Sequence, residues 1–229
     1  MKKSFSLIEL VIVILVIGIL YYSINVSTKN TTLNQAIDQL ISHINYTRHL
    51  GIRDNKMQYY PINSSDIETN RSKYWFKQWW QLRIGQTTSG DYFYEIFSDS
   101  PESSTIYDHV GNPVSEFAID PYNQKYMSGN YGSEPNRFLN LSQYNIKKIK
   151  FNGITLTTGN SIRFIFDSYG NVYTSEGSSG DSGDINPYDF NQRRPLLETG
   201  KLTLCQDDNC EENMSICISS KIGNVYICD

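Results

Sequence analysis

Three regimes of hydrophobic patterning divide the chain. From Phe5 to Tyr22 it reads FSLIELVIVILVIGILYY, apolar apart from Ser6 and Glu9. Eighteen such residues rise about 27 Å as a helix, close to the roughly 30 Å of a hydrocarbon core, so the run predicts a transmembrane helix. Next, Leu33, Ile37, Leu40, Ile41 and Ile44 recur at helical spacing, with Ala36 on their side and Leu50 and Ile52 extending the stripe. Gly51 and the Asp54-Asn55 pair supply a stop signal. Between the halves, Ser27 to Thr32 (STKNTT) is polar and poor in helix formers. It reads either as a solvated turn of one continuous helix or as a bend.

After the stop the period shortens to two. Strands are predicted over Trp75 to Gly85, Tyr92 to Phe97, Lys147 to Phe151, Ile154 to Thr157, Ile162 to Phe166, Lys201 to Cys205, Ser215 to Ser219 and Val225 to Cys228. Ile162, Phe164 and Phe166 alternate with Arg163 and Ile165, and Trp80, Leu82 and Ile84 with Gln81 and Arg83. Such alternation predicts sheet faces partly open to water. Residues 99 to 145 lack clear periodicity and read as a long decorated loop region. Ser175 to Asp184 (SEGSSGDSGD) is low-complexity and reads as a mobile loop.

Composition adds substance to the strand-rich part. With 39 % hydrophobic and 13 % aromatic residues, the 229-residue chain can bury a sizeable core. The formal charge is −4; without Lys2 and Lys3 it is −6, from 18 basic against 24 acidic residues. A body of that sign has no broad attraction for nucleic acid, which is not an expected partner. Four cysteines, Cys205, Cys210, Cys217 and Cys228, cluster near the C-terminus. An even, clustered set fits disulfides in an oxidising compartment.

Polarity at the N-terminus sets an orientation. Two lysines precede the apolar run, which places its start in the cytoplasm, and Tyr21 and Tyr22 fall where an interfacial aromatic belt would sit. Small residues, the mark of a secretory cleavage site, do not follow the run; Tyr21-Tyr22-Ser23-Ile24-Asn25 does. The only short polar leader is Met1 to Ser4. Within the run, a carboxylate costs several kcal/mol in lipid, so Glu9 demands a partner or a function. The bland reading is an interfacial Glu near a helix start, favoured by the helix dipole.

Phe5-Ser6-Leu7-Ile8-Glu9-Leu10 resembles the processing motif of type IV prepilins and type II secretion pseudopilins. The resemblance implies that a prepilin peptidase cuts between Ser4 and Phe5 and methylates the new amine. It also implies that Glu9 docks the subunit into a growing filament, where the Phe5 amine of a neighbour would neutralise it. The family usually has Gly before the cut, where this chain has Ser4. Further on, SIRFIFDSYGNVY, GKLTLC and SICISSKIGNVYIC resemble the H-type minor pseudopilins and related minor pilins.

That family implies an α+β, pilin-like fold: a long N-terminal α-helix from about Phe5 to Arg53, transmembrane in its first half, packed against a C-terminal antiparallel β-sheet domain. The expected division is a cleaved leader 1–4, a transmembrane part 5–22, an amphipathic half 23–53 and a globular β-rich periplasmic or extracellular domain 54–229. The implied location is the bacterial inner membrane, single-pass, with the C-terminal domain in the periplasm or in a filament. The implied function is that of a minor pseudopilin or minor pilin in a type II secretion pseudopilus or type IV pilus. Its partners would be other pilin or pseudopilin subunits through the N-terminal helix, the prepilin peptidase and an inner-membrane assembly platform. The alternative is a pilin-like subunit that contacts an extracellular ligand, a surface or DNA.

Other candidate chemistry is sparse. A loop over Lys221 to Asn224 would set Ser220 opposite Val225 and so bring Cys217 to Cys228. The loop Gln206 to Asn209 would bring Cys205 to Cys210. These two pairs are expected among three connectivities. Gaps of four, six and ten residues between successive cysteines do not resemble a zinc ribbon or finger. Asp181, Asp184 and Asp189, with Asn186, are weak calcium candidates, since major pseudopilins hold calcium in a late loop. Their spacing lacks the EF-hand pattern, and a solvated Gly/Ser loop accounts for them equally. No cofactor is expected. Trp75, Trp79 and Trp80, with Tyr74 and Phe76, offer either a stacking platform for sugars or bases or ordinary packing. His43, His49 and His109 are scattered, no nucleophile–base pair is evident, and an enzyme is not expected.

Overall fold

The computed structural model describes residues 7–57, 75–99, 116–130, 135–178, 195–220 and 222–228, with side chains described for all of these except 22–31 and 175–178. Helix α1 runs Leu7–Arg53, with Glu9 in its first turn and Arg53 in its last, each the sign that suits the helix dipole there. Leu33, Ala36, Ile37, Leu40 and Ile44 are buried against the sheets, with Ile41 and Leu50 at the margin. Gly51 is part of the helix rather than its stop. A Cβ there would lie 2.9 Å from the Phe166 carbonyl oxygen, so glycine is what allows helix and strand to touch. The end is marked instead by Asp54, whose carboxylate accepts the Trp80 indole N–H at 2.8 Å.

The expected pilin-like architecture, a long helix with a transmembrane first half packed on a sheet domain, is corrected by this structure. Among the described residues no helix is long and apolar enough to cross a membrane. The described apolar stretch, Leu7 to Tyr21, rises only about 22 Å, short of a roughly 30 Å core. Single-pass placement in an inner membrane loses its support for the same reason. Nor does that stretch pack on a sheet, since its side chains are exposed. The rest of the described chain is dominated by two antiparallel sheets.

The first sheet has the order β2-β1-β5-β6, from β1 (Trp80–Gln86), β2 (Tyr92–Phe97), β5 (Asn160–Phe166) and β6 (Val172–Ser178). The second has the order β4-β3-β7-β8-β9, from β3 (Lys148–Phe151), β4 (Ile154–Thr155), β7 (Gly200–Cys205), β8 (Asn213–Ile218) and β9 (Val225–Cys228). Inward positions of both sheets share one core with the α1 stripe: Leu82, Ile84, Ile162 and Phe164 from the first, Phe151, Leu202, Leu204 and Ile216 from the second. Phe151 and Phe164 meet edge to face across the sheets, centroids 5.4 Å apart.

Two strand expectations change. Strand β6 was not predicted, and its paired backbone reaches into the low-complexity stretch, with Ser175 opposite Arg163 and Ser178 opposite Asn160. The turn that makes this hairpin is tied by Asp167, whose Oδ1 accepts the amides of Tyr169 at 2.9 Å and Asn171 at 2.8 Å. Gly170 takes φ +78° there, a conformation glycine adopts without strain. The first sheet is also not half open to water. Every β2 residue, and every β5 residue but Asn160, is buried. The outer face is covered by Trp75, Phe76 and Trp79 over Ile165 and Tyr173, and by Phe117 against Phe97.

Under that cover lies an ion cluster. Arg83 stands opposite both Glu95 on β2 and Arg163 on β5. Glu95 is fully buried and paired with Arg83, and Arg163 is 2 % exposed. Burial raises the Glu95 pKa from its ordinary 4.5, while the Arg83 and Arg163 charges pull it back.

The cysteines form Cys205–Cys210 and Cys217–Cys228, consistent with an oxidising compartment. The expected register of the second hairpin is corrected. Ile218, not Ser220, stands opposite Val225, and Cys217 opposite Tyr226. The bond to Cys228 is therefore diagonal. Ser219 N–H donates to the Asn224 carbonyl at 2.8 Å, and Gly223 at φ +58° sits in a turn set one residue earlier than the sequence suggested.

Candidate functional site

The residues singled out from the sequence fall in different places. Ser4 and Phe5 lie outside the described residues, as do His109 and the calcium candidates Asp181, Asp184, Asn186 and Asp189. Among the described residues, no group of three or more His, Cys, Asp or Glu could hold a metal ion. The tryptophans pack rather than form a platform. Trp79 is buried, stacked on Tyr173 at 5.2 Å and edge-on to Trp75 at 5.7 Å.

Glu9 sits in the first turn of α1, within a surface of unusual composition. Leu7, Ile8, Leu10, Val11, Ile12, Val13, Ile14 and Leu15 are followed by Val16, Ile17, Ile19 and Leu20, all of them exposed. Consecutive helical positions point about 100° apart, so an unbroken run of this kind is apolar on every side. Water does not stabilise such a surface, and an exposed apolar patch of this extent marks a site of association.

A second feature lies where α1 meets the segment after β2. His43, one turn beyond Gln39 on the flank of the buried stripe, is only 4 % exposed. The Tyr144 hydroxyl donates to Gln39 Oε1 at 2.6 Å. Gln39 Nε2 donates to the Tyr94 hydroxyl and to the Phe138 carbonyl, each at 2.6 Å. Tyr94, already accepting, gives its own proton to His43 Nδ1 at 2.7 Å. The chain of donors therefore assigns the ring proton of neutral His43 to Nε2.

Electrostatics favour the neutral ring. Burial lowers the His43 pKa from its ordinary 6.5, and the Asp120 carboxylate opposes this only in part. Burial likewise lifts Tyr94 well above its usual 10.0 and raises Tyr46, with Asp120 adding in the same direction. His43, Gln39, Asp38 and Ser42 on α1 face Asp120, Tyr122, Asn123 and Phe138 across a cleft of about 420 Å³.

A depressed His43 pKa has a signed consequence for stability. Above 6.5 neither state holds the proton; below it the unfolded chain takes one that the folded chain refuses. Stability should thus be level at roughly pH 7–8 and fall below the ordinary value, by at most about 1.4 kcal/mol per pH unit, down to the folded pKa. Thermal melts across this range should show the fall, and His43→Gln should remove it. An unchanged slope in that variant would mean that His43 is not its source.

Sequence reasoning noted His43 but not this constellation. The spacing of Gln39 and His43, one helical turn apart beside Leu40 and Ile44, was a usable signal for a polar pair on one helix flank. Tyr94 and Asp120 gave none, because their approach to the helix depends on tertiary structure. Comparison of the chain with family models, with curated proteins and with solved structures finds no match.

Proposed function

We propose that this chain is a structural subunit of a filament, a minor pseudopilin or minor pilin of the type II secretion pseudopilus or type IV pilus kind. It joins its neighbours through the first half of α1. The observation that carries this reading is the apolar surface from Leu7 to Leu20, exposed on every side of the helix. A helix apolar all round is stable when surrounded, and the sheets of this chain leave it exposed, so neighbouring subunits provide its cover. Glu9 is the one acidic or basic residue in that stretch. Once the leader is cut between Ser4 and Phe5, the new amine of a neighbour pairs with Glu9 and sets the axial register between subunits.

The test uses the full chain, expressed with a prepilin peptidase and the other subunits of the filament system. Mass spectrometry should find a mature chain that begins at methylated Phe5. Glu9→Val should enter filaments about tenfold less, the factor that corresponds to losing about 1.4 kcal/mol from one charge pair. An intact Met1 to Ser4 leader, or full incorporation of Glu9→Val, overturns the reading. A second reading, a subunit that contacts an extracellular ligand, is favoured by the cleft at His43, where carboxylates and exposed aromatic rings adjoin. DNA is the least suited such ligand, since the cleft lining has no lysine or arginine.

A further inference from the structure

The cleft beside His43 holds charge and hydrogen-bonding capacity that its own residues leave unused. Asp120 is 3 % exposed. Its Oδ1 accepts the Tyr122 amide at 2.9 Å and its Oδ2 the Asn136 side-chain amide at 3.1 Å. Both donors are neutral, and among the described residues no cationic side chain pairs with it. A buried carboxylate is costly until a positive charge compensates it. Asp38 adds a second, exposed carboxylate at the rim. The single hydrogen bond of the His43 ring is at Nδ1, so the almost fully buried ring has an unused Nε2–H in the cleft wall, ready for an acceptor on a ligand.

The remaining walls are aromatic. Tyr122 is 84 % and Phe138 56 % exposed, although both line the cleft. Aromatic faces attract cations and stack on flat apolar surfaces. A ligand that satisfies all of these groups carries a positive charge for Asp120 and Asp38, a hydroxyl for His43 Nε2–H, and a flat apolar face for the rings. We propose that the cleft binds a hydroxylated organic ammonium with a flat apolar face, of which an aminohexose is a representative. The volume of about 420 Å³ suits a ligand of that size. The absence of any lysine or arginine from the lining excludes an anionic sugar on charge grounds. This inference is independent of the filament reading and survives if that reading fails.

Four sugars on nearly the same ring separate the contributions: glucosamine, glucose, N-acetylglucosamine and glucuronate. Each is titrated into the full chain, held in a neutral detergent, while the NMR signals of the His43 imidazole and the Tyr122 ring are followed. Glucosamine should shift both saturably and bind about tenfold or more tightly than glucose or N-acetylglucosamine, a factor within reach of one carboxylate and one cation–ring contact. Glucuronate should shift neither. Asp38→Asn and Tyr122→Ala alter exposed side chains and leave the fold intact, and each should weaken glucosamine binding several-fold. Equal binding of glucose and glucosamine, any binding of glucuronate, no shift with any of the four, or unaltered binding by both variants overturns the proposal.

Discussion

Phe164→Ala is expected to lower the unfolding free energy by about 3–5 kcal/mol, a large share of the roughly 5–15 kcal/mol that a domain has. Phe164 is fully buried on β5, and its ring meets Phe151 of the other sheet edge to face. It also belongs to the cluster that contains Ile37, Leu40 and Ile44 of α1. Removing the ring therefore opens a cavity where three layers meet, and no single layer can collapse to fill it. Denaturant unfolding measures the loss. Tyr169→Ala, at a residue 86 % exposed on a turn, serves as control and should change stability by less than about 0.5 kcal/mol. A loss below about 1 kcal/mol for Phe164→Ala would mean that helix and sheets do not close on this ring.

The second large effect is electrostatic. Glu95→Ala should cost about 3–5 kcal/mol, because it strips Arg83 of its buried partner carboxylate and removes the negative charge that Arg163 also feels. Glu95→Gln, which keeps the shape and some hydrogen bonding, should cost less than Glu95→Ala. In a double-mutant cycle, Arg83→Ala should recover part of the Glu95→Ala loss, since it removes the charge that has lost its partner. Strict additivity of the two substitutions would show that the pair observed between Arg83 and Glu95 carries no coupling energy. The interest of this site is that a face expected to meet water instead hides three charges.

That face shows where sequence patterning succeeds and where it stops. The helical stripe from Leu33 to Ile44 was legible because local period and burial agree there, and the strands Tyr92–Phe97 and Val225–Cys228 because each is a short run rich in aromatic and β-branched residues. Alternation in β1 and β5 identified the inner face from Leu82, Ile84, Ile162 and Phe164. It could not show that Trp79 and Phe117, from other parts of the chain, would roof the outer one. A binary pattern encodes which side chains are apolar and is silent on what covers the rest. The membrane expectation failed on length. The described apolar helix is shorter than a hydrocarbon core, and hydropathy alone does not distinguish lipid from the flank of another helix.

The cleft was the least legible part, for a related reason. Its parts come from α1, from Tyr94 on β2 and from residues between Asp120 and Phe138, a stretch whose local pattern predicts no element. Only the approach of these segments turns a glutamine, two tyrosines and a histidine into one directed chain of hydrogen bonds. The disulfide pairing was legible because both partners lie near one another along the chain, yet the diagonal geometry of Cys217–Cys228 was not, since it depends on which residues make the turn.

That nearness has a consequence for how the chain reaches its oxidised state. Cys205–Cys210 spans five positions and Cys217–Cys228 eleven. The entropic penalty of closing a loop grows with its length, so the five-position Cys205–Cys210 loop is the easiest to close, and once Cys210 is taken Cys217 has Cys228 as its remaining partner. Each bond lies within one hairpin and can form before the two sheets or α1 have come together. Neither ties the helix to the sheets by covalent means, so oxidation consolidates two local ribbons and leaves assembly of the layers to the core.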